Sequence, residues 1–211
     1  MAVVAEAPNF HSEMRQLLRA RVIDTARHLV CTEGWGAVNM SRVAKEVGVS
    51  RPVLYKEIGT KHDLADAVIG NELDTFLAGI TDTIAAHPDD VLAALTAAVD
   101  FTLRTAADNT LLKAVLAGRS SADTSLLPTL MTEPEPVLGR AATTLTAVVR
   151  TQYGLPALTD DELGSRVEAV VRLALSHLFQ PTGPIERAVT QITLVIDAIF
   201  GPAAREAAPA R

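Results

Sequence analysis

Apolar residues recur at intervals of three and four along almost the whole chain of 211 residues, and no convincing stretch alternates between apolar and polar positions. That interval is the period of an amphipathic α-helix, so the pattern predicts an all-α protein. Capping residues, glycines and prolines mark the ends of the predicted helices. These helices span residues 15–33, 61–87, 89–106, 109–117, 136–153, 160–179 and 184–200, with two shorter ones between 39 and 59 and a long connection at 118–136.

The two short helices are predicted on either side of a tight turn. Asn39 or Ser41 can cap the first helix by accepting a hydrogen bond from a free backbone N–H. Gly48 can end it, because glycine adopts a positive φ without steric cost. Ser50 can then cap the second helix. This spacing is that of a helix-turn-helix.

The second short helix carries side chains suited to DNA. Val53 and Leu54 are expected to make its apolar contacts, and Arg51, Tyr55 and Lys56 then face solvent. Arg51 can form a paired hydrogen bond with a guanine edge, whereas Tyr55 and Lys56 are donors that hold phosphates. For so short a motif, a helical hairpin with a solvated face is the alternative. The residues predicted to contact DNA are Asn39, Ser41, Arg42, Ser50, Arg51, Pro52, Tyr55, Lys56 and Lys61.

A longer run of residues favours DNA binding. An amphipathic helix, a Gly-Trp-Gly turn at 34–36 and the segment VAKEVGVSRPVLYKEIGTKHDL together resemble the DNA-binding domain of TetR-family transcriptional repressors. Val38 and Ile58 stand where threonine and phenylalanine are usual in that family. The matching positions are Gly34, Ala44, Gly48, Val49, Ser50, Leu54, Tyr55, Lys61 and Leu64.

The resemblance covers about the first 65 residues and implies how the rest is organised. It implies a helix-turn-helix domain over 1–65 and a larger helical domain for effector binding and dimerisation over 66–200. Residues 201–211, rich in Ala and Pro, are predicted to be a flexible tail. The implied partners are double-stranded operator DNA, a small-molecule effector and a second copy of the chain.

Charge is distributed as this organisation requires. The whole chain has a net charge of −6. Residues 1–62 contain nine Lys and Arg against six acids, whereas 63–211 contain ten against nineteen. A basic module on an acidic body is expected when one end of a protein faces phosphates.

The chain offers little support for secretion or membrane insertion. The N-terminus lacks the basic and apolar regions of a signal peptide, and no apolar run reaches membrane length. The single cysteine, Cys31, excludes an internal disulfide and fits a reducing compartment. A cytoplasmic location is therefore expected, without a membrane partner.

Other classes of function find less support. The chain has no GxxxxGK, GxGxxG, HExxH or GxSxG motif and no paired-cysteine metal spacing, so we predict no enzyme activity, catalytic residue, metal or cofactor. His62 and Asp66 lie four residues apart, but an exposed helix pair is commoner than a metal site. A helical adaptor that binds proteins remains the alternative, and salt-sensitive DNA affinity would distinguish the two.

The last two predicted helices are unusually apolar. They can complete the core within one chain, or pair with their copies in a four-helix dimer interface. Helix-turn-helix dimers read paired half-sites, and the resemblance also implies dimerisation, so we favour the interface. Its predicted residues are Val167, Val170, Val171, Ala174, Leu175, Leu178, Val189, Ile192, Ile196 and Ile199.

The middle helices raise the question of an effector pocket. Their apolar residues can either close-pack or line a cavity, and the resemblance implies that some surround a ligand. Aromatic residues make up only 4% of the chain, which favours an aliphatic effector: fatty acyl, alkane-derived, terpenoid or sterol-like. For the polar candidates, helix-end cations (Arg104, Arg119) and a core or interface histidine (His177) are the alternatives. The candidate effector residues are Phe76, Ile80, Val99, Phe101, Arg104, Asn109, Leu112, Leu116, Arg119, Leu145, Val149, Leu173 and His177.

Overall fold

The computed structural model describes residues 10–117 and 135–207, which form nine α-helices, a 3-10 turn and a π-helical turn. The predicted all-α fold is confirmed. The helices are α1 (Phe10–Glu33), α2 (Met40–Val47), α3 (Arg51–Ile58), α4 (Lys61–Ala85), α5 (Val91–Asp108), α6 (Thr110–Ala117), α7 (Arg140–Tyr153), α8 (Asp160–Phe179) and α9 (Ile185–Ala207). The two turns are Trp35–Ala37 and Glu135–Gly139.

Local capping sets the ends of the short helices. The Asn39 side chain accepts a hydrogen bond of 2.9 Å from the backbone N–H of Arg42, and Gly48 ends α2 with φ at 84°. Thr60 and Asp63 form a capping box at the start of α4. The first two features confirm the predicted ends of the first short helix, and all three depend on residues only a few positions apart.

One predicted helix end and one predicted contact are wrong. Helix α9 does not stop at Phe200 but continues to Ala207, with Gly201 and Ala203 buried, so the first part of the predicted tail is packed helix. Val53, which was expected to make an apolar contact, is 41% exposed. Most of the predicted connection at 118–136 lies outside the described residues.

The core of the first four helices extends into the following domain. Leu29, Leu54 and Leu64 are almost fully buried where α1, α3 and α4 meet. Leu111 and Val115 of α6 belong to the same apolar cluster. The helix-turn-helix region therefore shares its core with α6.

A second apolar cluster holds the rest of the chain together. Helix α5 packs against α4 on one side and α9 on the other, and α7 packs against α8. Phe200 and Ile196 of α9 are fully buried in this cluster. Leu194, by contrast, is 66% exposed on the outer side of α9. None of the helices in the described residues has an apolar stretch long enough to cross a membrane.

Candidate DNA-binding surface and ligand cavity

Helix α3 presents a polar, cationic surface. Leu54 and Ile58 anchor it in the core with 0% and 5% exposure. Arg51, Tyr55 and Lys56 lie on its exposed side, as predicted. Pro52 occupies the first turn and is also exposed. A short helix that is anchored on its buried side and carries hydrogen-bond donors on its exposed side has the shape that fits a major groove.

Helix α1 fixes the C-terminal end of α3. Arg15 Nε lies 3.2 Å from the Glu57 carboxylate, and Arg19 Nη1 donates to the backbone oxygen of Glu57 at 3.0 Å. A cation at the end of a helix also interacts favourably with the helix dipole. Arg15 and Arg19 therefore position α3.

Two of the residues predicted to contact DNA, Arg42 and Lys61, form hydrogen bonds within the protein. Arg42 donates to Glu33 at 2.5 and 2.7 Å and to Glu46 at 2.9 Å, and the hydrogen bonds to Glu33 and then Glu46 raise the pKa of Arg42 above its ordinary value. Lys61 Nζ donates to the backbone oxygen of Trp35 at 3.3 Å and lies 4.8 Å from the centre of its ring. Both cations brace the ends of helices.

The remaining residues predicted to contact DNA differ in how much of each side chain is already used within the protein. The Asn39 side chain is used as a cap, whereas Ser50 starts α3 without accepting a capping hydrogen bond. Ser41 is half-buried. Within residues 10–117 and 135–207, Arg51 and Lys56 have no ion-pair partner. The charge of these two is therefore available to phosphates and bases.

An apolar cavity of about 170 Å³ lies between α4, α5, α6, α7 and α8. Among the described side chains around it, Glu72 and Thr102 are the polar ones, and the others are apolar. The predicted effector residues that line it are Phe76, Ile80, Val99, Leu112 and Leu145.

Other predicted effector residues do not line this cavity. Phe101 packs over Gly79, where an added Cβ would overlap its ring. Val149 and Leu173 belong to the core cluster around α9. Arg104 pairs at the surface with Asp100 and Glu186. Arg119 and the side chain of Leu116 lie outside the described part of the chain.

Several residues predicted at the dimer interface are used inside the chain. Val167, Val170, Val171, Ala174, Leu175 and Leu178 line the cavity, and Ile192 and Ile196 are at most 1% exposed. Val189 and Ile199 are half-buried. Helical periodicity shows that a face is buried but not what covers it. Val167, Val170, Ala174, Ile192 and Ile196 are covered within one chain, and their role at a dimer interface stays a prediction.

An ion pair that sequence reasoning missed joins the cavity wall to the DNA-binding domain. Glu72 of α4 accepts hydrogen bonds of 2.9 and 3.4 Å from Arg27 of α1. It also accepts one from the side chain of Asn109, whose oxygen caps α6 by accepting from Leu112 N at 2.8 Å. Burial disfavours the charge on Glu72, but the hydrogen bonds from Arg27 and Asn109 outweigh it and lower the pKa of this carboxyl. An acid within the apolar pattern Ile69, Leu73, Phe76 was the available signal.

A second, more polar pocket of about 220 Å³ adjoins the cavity. It lies between the ends of α5 and α8, the first turns of α6 and the start of α9, and His177 is on its wall.

Comparison with known proteins gives a consistent result. A family profile described as bacterial regulatory proteins, tetR family, matches residues 22–68. A second profile, described as the C-terminal domain of the bacterial tetracyclin repressor, matches residues 90–197. The HTH-type transcriptional regulator AlkX of Mycobacterium tuberculosis is 28% identical over 167 residues, which cover 79% of this chain and 77% of AlkX.

Solved structures share the fold. The TetR family repressor AlkX from Dietzia sp. strain DQ12-45-1b, implicated in biodegradation of n-alkanes, matches with a TM-score of 0.70 and 25% identity over 87% of this chain and 95% of that one. The repressor QsdR of R. erythropolis matches with a TM-score of 0.62 and 22% identity over 86% and 95% of the two chains.

Proposed function

Because the chain belongs to the TetR family of bacterial regulatory proteins, we propose that it is a repressor that leaves its operator when a hydrophobic small molecule fills the cavity behind α4. The family consists of DNA-binding transcriptional regulators and not of enzymes. The observation that carries the ligand-release proposal is that α4 forms both the cavity wall and, through its capped start, the support of α3.

DNA recognition is assigned to the exposed side of α3. Arg51 reads a base edge, and Tyr55 and Lys56 hold phosphates. All three are exposed, and the helix beneath them is fixed by Leu54 and by Arg19. A rigid helix loses little conformational freedom on binding, which favours specific contacts.

The effector is proposed to be an aliphatic compound. Aliphatic side chains dominate the cavity. The aromatic residues among its described lining are Phe76, Phe179 and Phe200. This lining suits a fatty acyl, alkane-derived, terpenoid or sterol-like molecule. The relation to two AlkX proteins, one of them implicated in n-alkane biodegradation, supports the alkane-derived and fatty acyl classes.

Release is proposed to proceed through α4. This helix is 25 residues long, and so spans about 37 Å from the base of α3 to the far end of the cavity. A ligand that prefers a different tilt of α4 shifts the population toward that tilt and changes the separation of two recognition helices. The Arg27–Glu72 ion pair would carry α1 along with α4.

The repressor is proposed to act as a homodimer. Two half-sites one helical turn apart require two copies of α3 about 34 Å apart. Since the inner faces of α8 and α9 are used within the chain, the outer face of α9 around Leu194 is the proposed contact. Leu194→Glu is expected to give a monomer in analytical ultracentrifugation, whereas Thr143→Glu, at an exposed position of α7 away from this face, serves as a control for added charge.

The first experiment measures binding to DNA from upstream of the protein's own gene and to random DNA, by fluorescence anisotropy at about physiological ionic strength. Arg51→Ala is expected to reduce the preference for the specific DNA by roughly 1 to 3 kcal/mol, about 5- to 150-fold. Lys56→Ala is expected to weaken both complexes alike. Arg205→Ala, an exposed residue of α9, is the control.

The same assay tests the effector. We expect n-dodecane or 1-dodecanol to lower the affinity for operator DNA, and Ala98→Phe, which fills the cavity, to remove this response while DNA binding persists. Ala147→Phe on the exposed side of α7 is the control. No preference for specific DNA in any condition would favour a helical adaptor. Specific binding that no aliphatic compound alters would overturn the ligand-release part.

A further inference from the structure

The second pocket differs in chemistry from the apolar cavity beside it. Its wall includes three basic side chains, Lys113 of α6, His177 of α8 and Arg187 of α9. The other described residues of the wall are small, apolar or uncharged polar, and none of them carries a carboxylate. An open pocket with only one sign of charge on its wall raises the local concentration of ions of the opposite sign.

The two pockets are neighbours that share walls. Leu112 and Leu178 line both of them. Leu112 lies one residue before Lys113, and His177 one residue before Leu178, so on α6 and on α8 an apolar and a basic side chain lie side by side. The boundary between the cavities is therefore also a boundary between apolar and basic side chains.

Among the residues that the structure describes, no carboxylate pairs with the lysine or the arginine of this pocket. Nearby Arg104 is paired with Asp100 and Glu186, as is usual in a chain with more acids than bases. Lys113 and Arg187 have no ion-pair partner in the described part of the chain. Unpaired cations gathered in one concavity of an acidic domain are available for an external anion.

We propose that this pocket binds the anionic head group of an amphiphile whose aliphatic tail lies in the cavity. The head group is compact, a carboxylate or a phosphate, and it is held by Lys113 and Arg187 with His177 beside them. This inference rests on the proposed function, since it assigns a head group to the same effector. It makes the natural effector an anionic amphiphile rather than a bare hydrocarbon.

The test compares ligands with one tail and different heads. Isothermal titration calorimetry of the full chain gives the dissociation constants of dodecanoate, dodecyl phosphate, 1-dodecanol and methyl dodecanoate, each below its micelle concentration. We expect an anion to bind about tenfold more tightly than the neutral compounds and to weaken as salt is raised. Comparison of dodecanoate with dodecyl phosphate shows whether the pocket prefers a carboxylate or a phosphate head group.

Substitutions of the two unpaired cations test whether they bind the anionic head group. Lys113→Gln and Arg187→Gln are each expected to weaken binding of the anion by about 3-fold, and the double variant by about 10-fold, because exposed charge pairs contribute modestly. Binding of 1-dodecanol should not change, which also shows that the cavity of the variants is intact. Arg205→Gln, exposed on the same helix, is the matched control.

The two proposals fail in different ways. Equal affinities for dodecanoate and 1-dodecanol, insensitive to salt and to both substitutions, would overturn the head-group site while leaving a neutral effector in place. If none of the four compounds binds while operator DNA is still bound specifically, the head-group site and the aliphatic effector are both rejected.

Discussion

Arg27 Nε lies 2.9 Å from Oε2 of Glu72, and this ion pair joins α1 of the DNA-binding domain to the wall of the ligand cavity. Asn109, at the start of α6, donates to the other carboxylate oxygen of Glu72. One carboxylate thus links three helices. A movement of α4 that keeps these hydrogen bonds intact must also move α1.

Replacement of Glu72 by glutamine is expected to weaken the response to ligand. The amide keeps the size of the side chain but loses its charge, so the link from α4 to α1 loosens. We expect a fall in stability of about 1 to 2 kcal/mol, operator affinity within about 3-fold of wild type, and a smaller effect of effector on that affinity. Denaturant unfolding and anisotropy measure these quantities.

The matched control is Asp74→Asn. It removes the pair between Asp74 and Arg140, which joins α4 to α7 without touching α1. If both variants change the response equally, the Arg27–Glu72 pair has no special part in coupling.

Stability is expected to fall in acid partly through Glu72. Because the pKa of Glu72 is lowered in the folded state, its stabilising contribution is complete above the ordinary glutamate pKa of about 4.3 and is lost as pH falls through the lowered value. The difference in melting temperature between wild type and Glu72→Gln should therefore be largest near neutral pH and shrink below about pH 4. A difference that stays constant from pH 7 to pH 3.5 would refute this.

Arg42 and Lys56 should differ in their effect on DNA, although both are cations of the helix-turn-helix region. Arg42 is neutralised by Glu33 and Glu46, whereas Lys56 has no ion-pair partner in the described residues. Lys56→Ala is expected to lower the salt dependence of log affinity by about one unit. Arg42→Ala should leave that slope unchanged within error. If Arg42→Ala lowered this salt dependence by a full unit, Arg42 would have to contact a phosphate of the DNA.

Gly48→Ala should destabilise the protein through backbone strain alone. The φ of Gly48 is 84°, and nothing lies within 4 Å of a Cβ at that position. The left-handed conformation costs an alanine about 1 to 2 kcal/mol. Asparagine tolerates it better, so Gly48→Asn should cost less.

The control substitution is expected to change stability in the opposite direction. Gly164, inside α8, also has open space around a Cβ, but its backbone is helical. Gly164→Ala is therefore expected to stabilise by about 0.5 to 1 kcal/mol. Equal effects of the two alanine substitutions would mean that φ does not determine the cost.

Sequence alone predicted what depends on near neighbours. Helix α8 spans the predicted residues because Thr159 and Glu162 form a capping box at its start. The end of α9 was predicted wrongly. Pro202 is a local signal that ends a helix, but the burial of Gly201 and Ala203 overrides it and the helix continues. Packing between distant segments is not encoded in the residues next to a proline.

The candidate sites show the same division. The exposed side of α3 follows from its own periodicity, so Arg51, Tyr55 and Lys56 were identified. The inner face of α8 was recognised as buried, but whether a second chain, the core or a cavity covers it depends on where α4 and α5 lie. For the same reason Glu72 was missed, because its partners are 45 and 37 residues away.

The position of α6 has a consequence for how relatives of this protein can change their ligands. Leu111 and Val115 line the cavity and also belong to the core of the DNA-binding domain. A substitution at either position changes the packing around the cavity and also the packing of the DNA-binding domain's core. Residues that meet the cavity without joining that core, such as Leu145 and Val171, are free of this double constraint. New ligand preferences should therefore arise on α7 and α8 more readily than on α6.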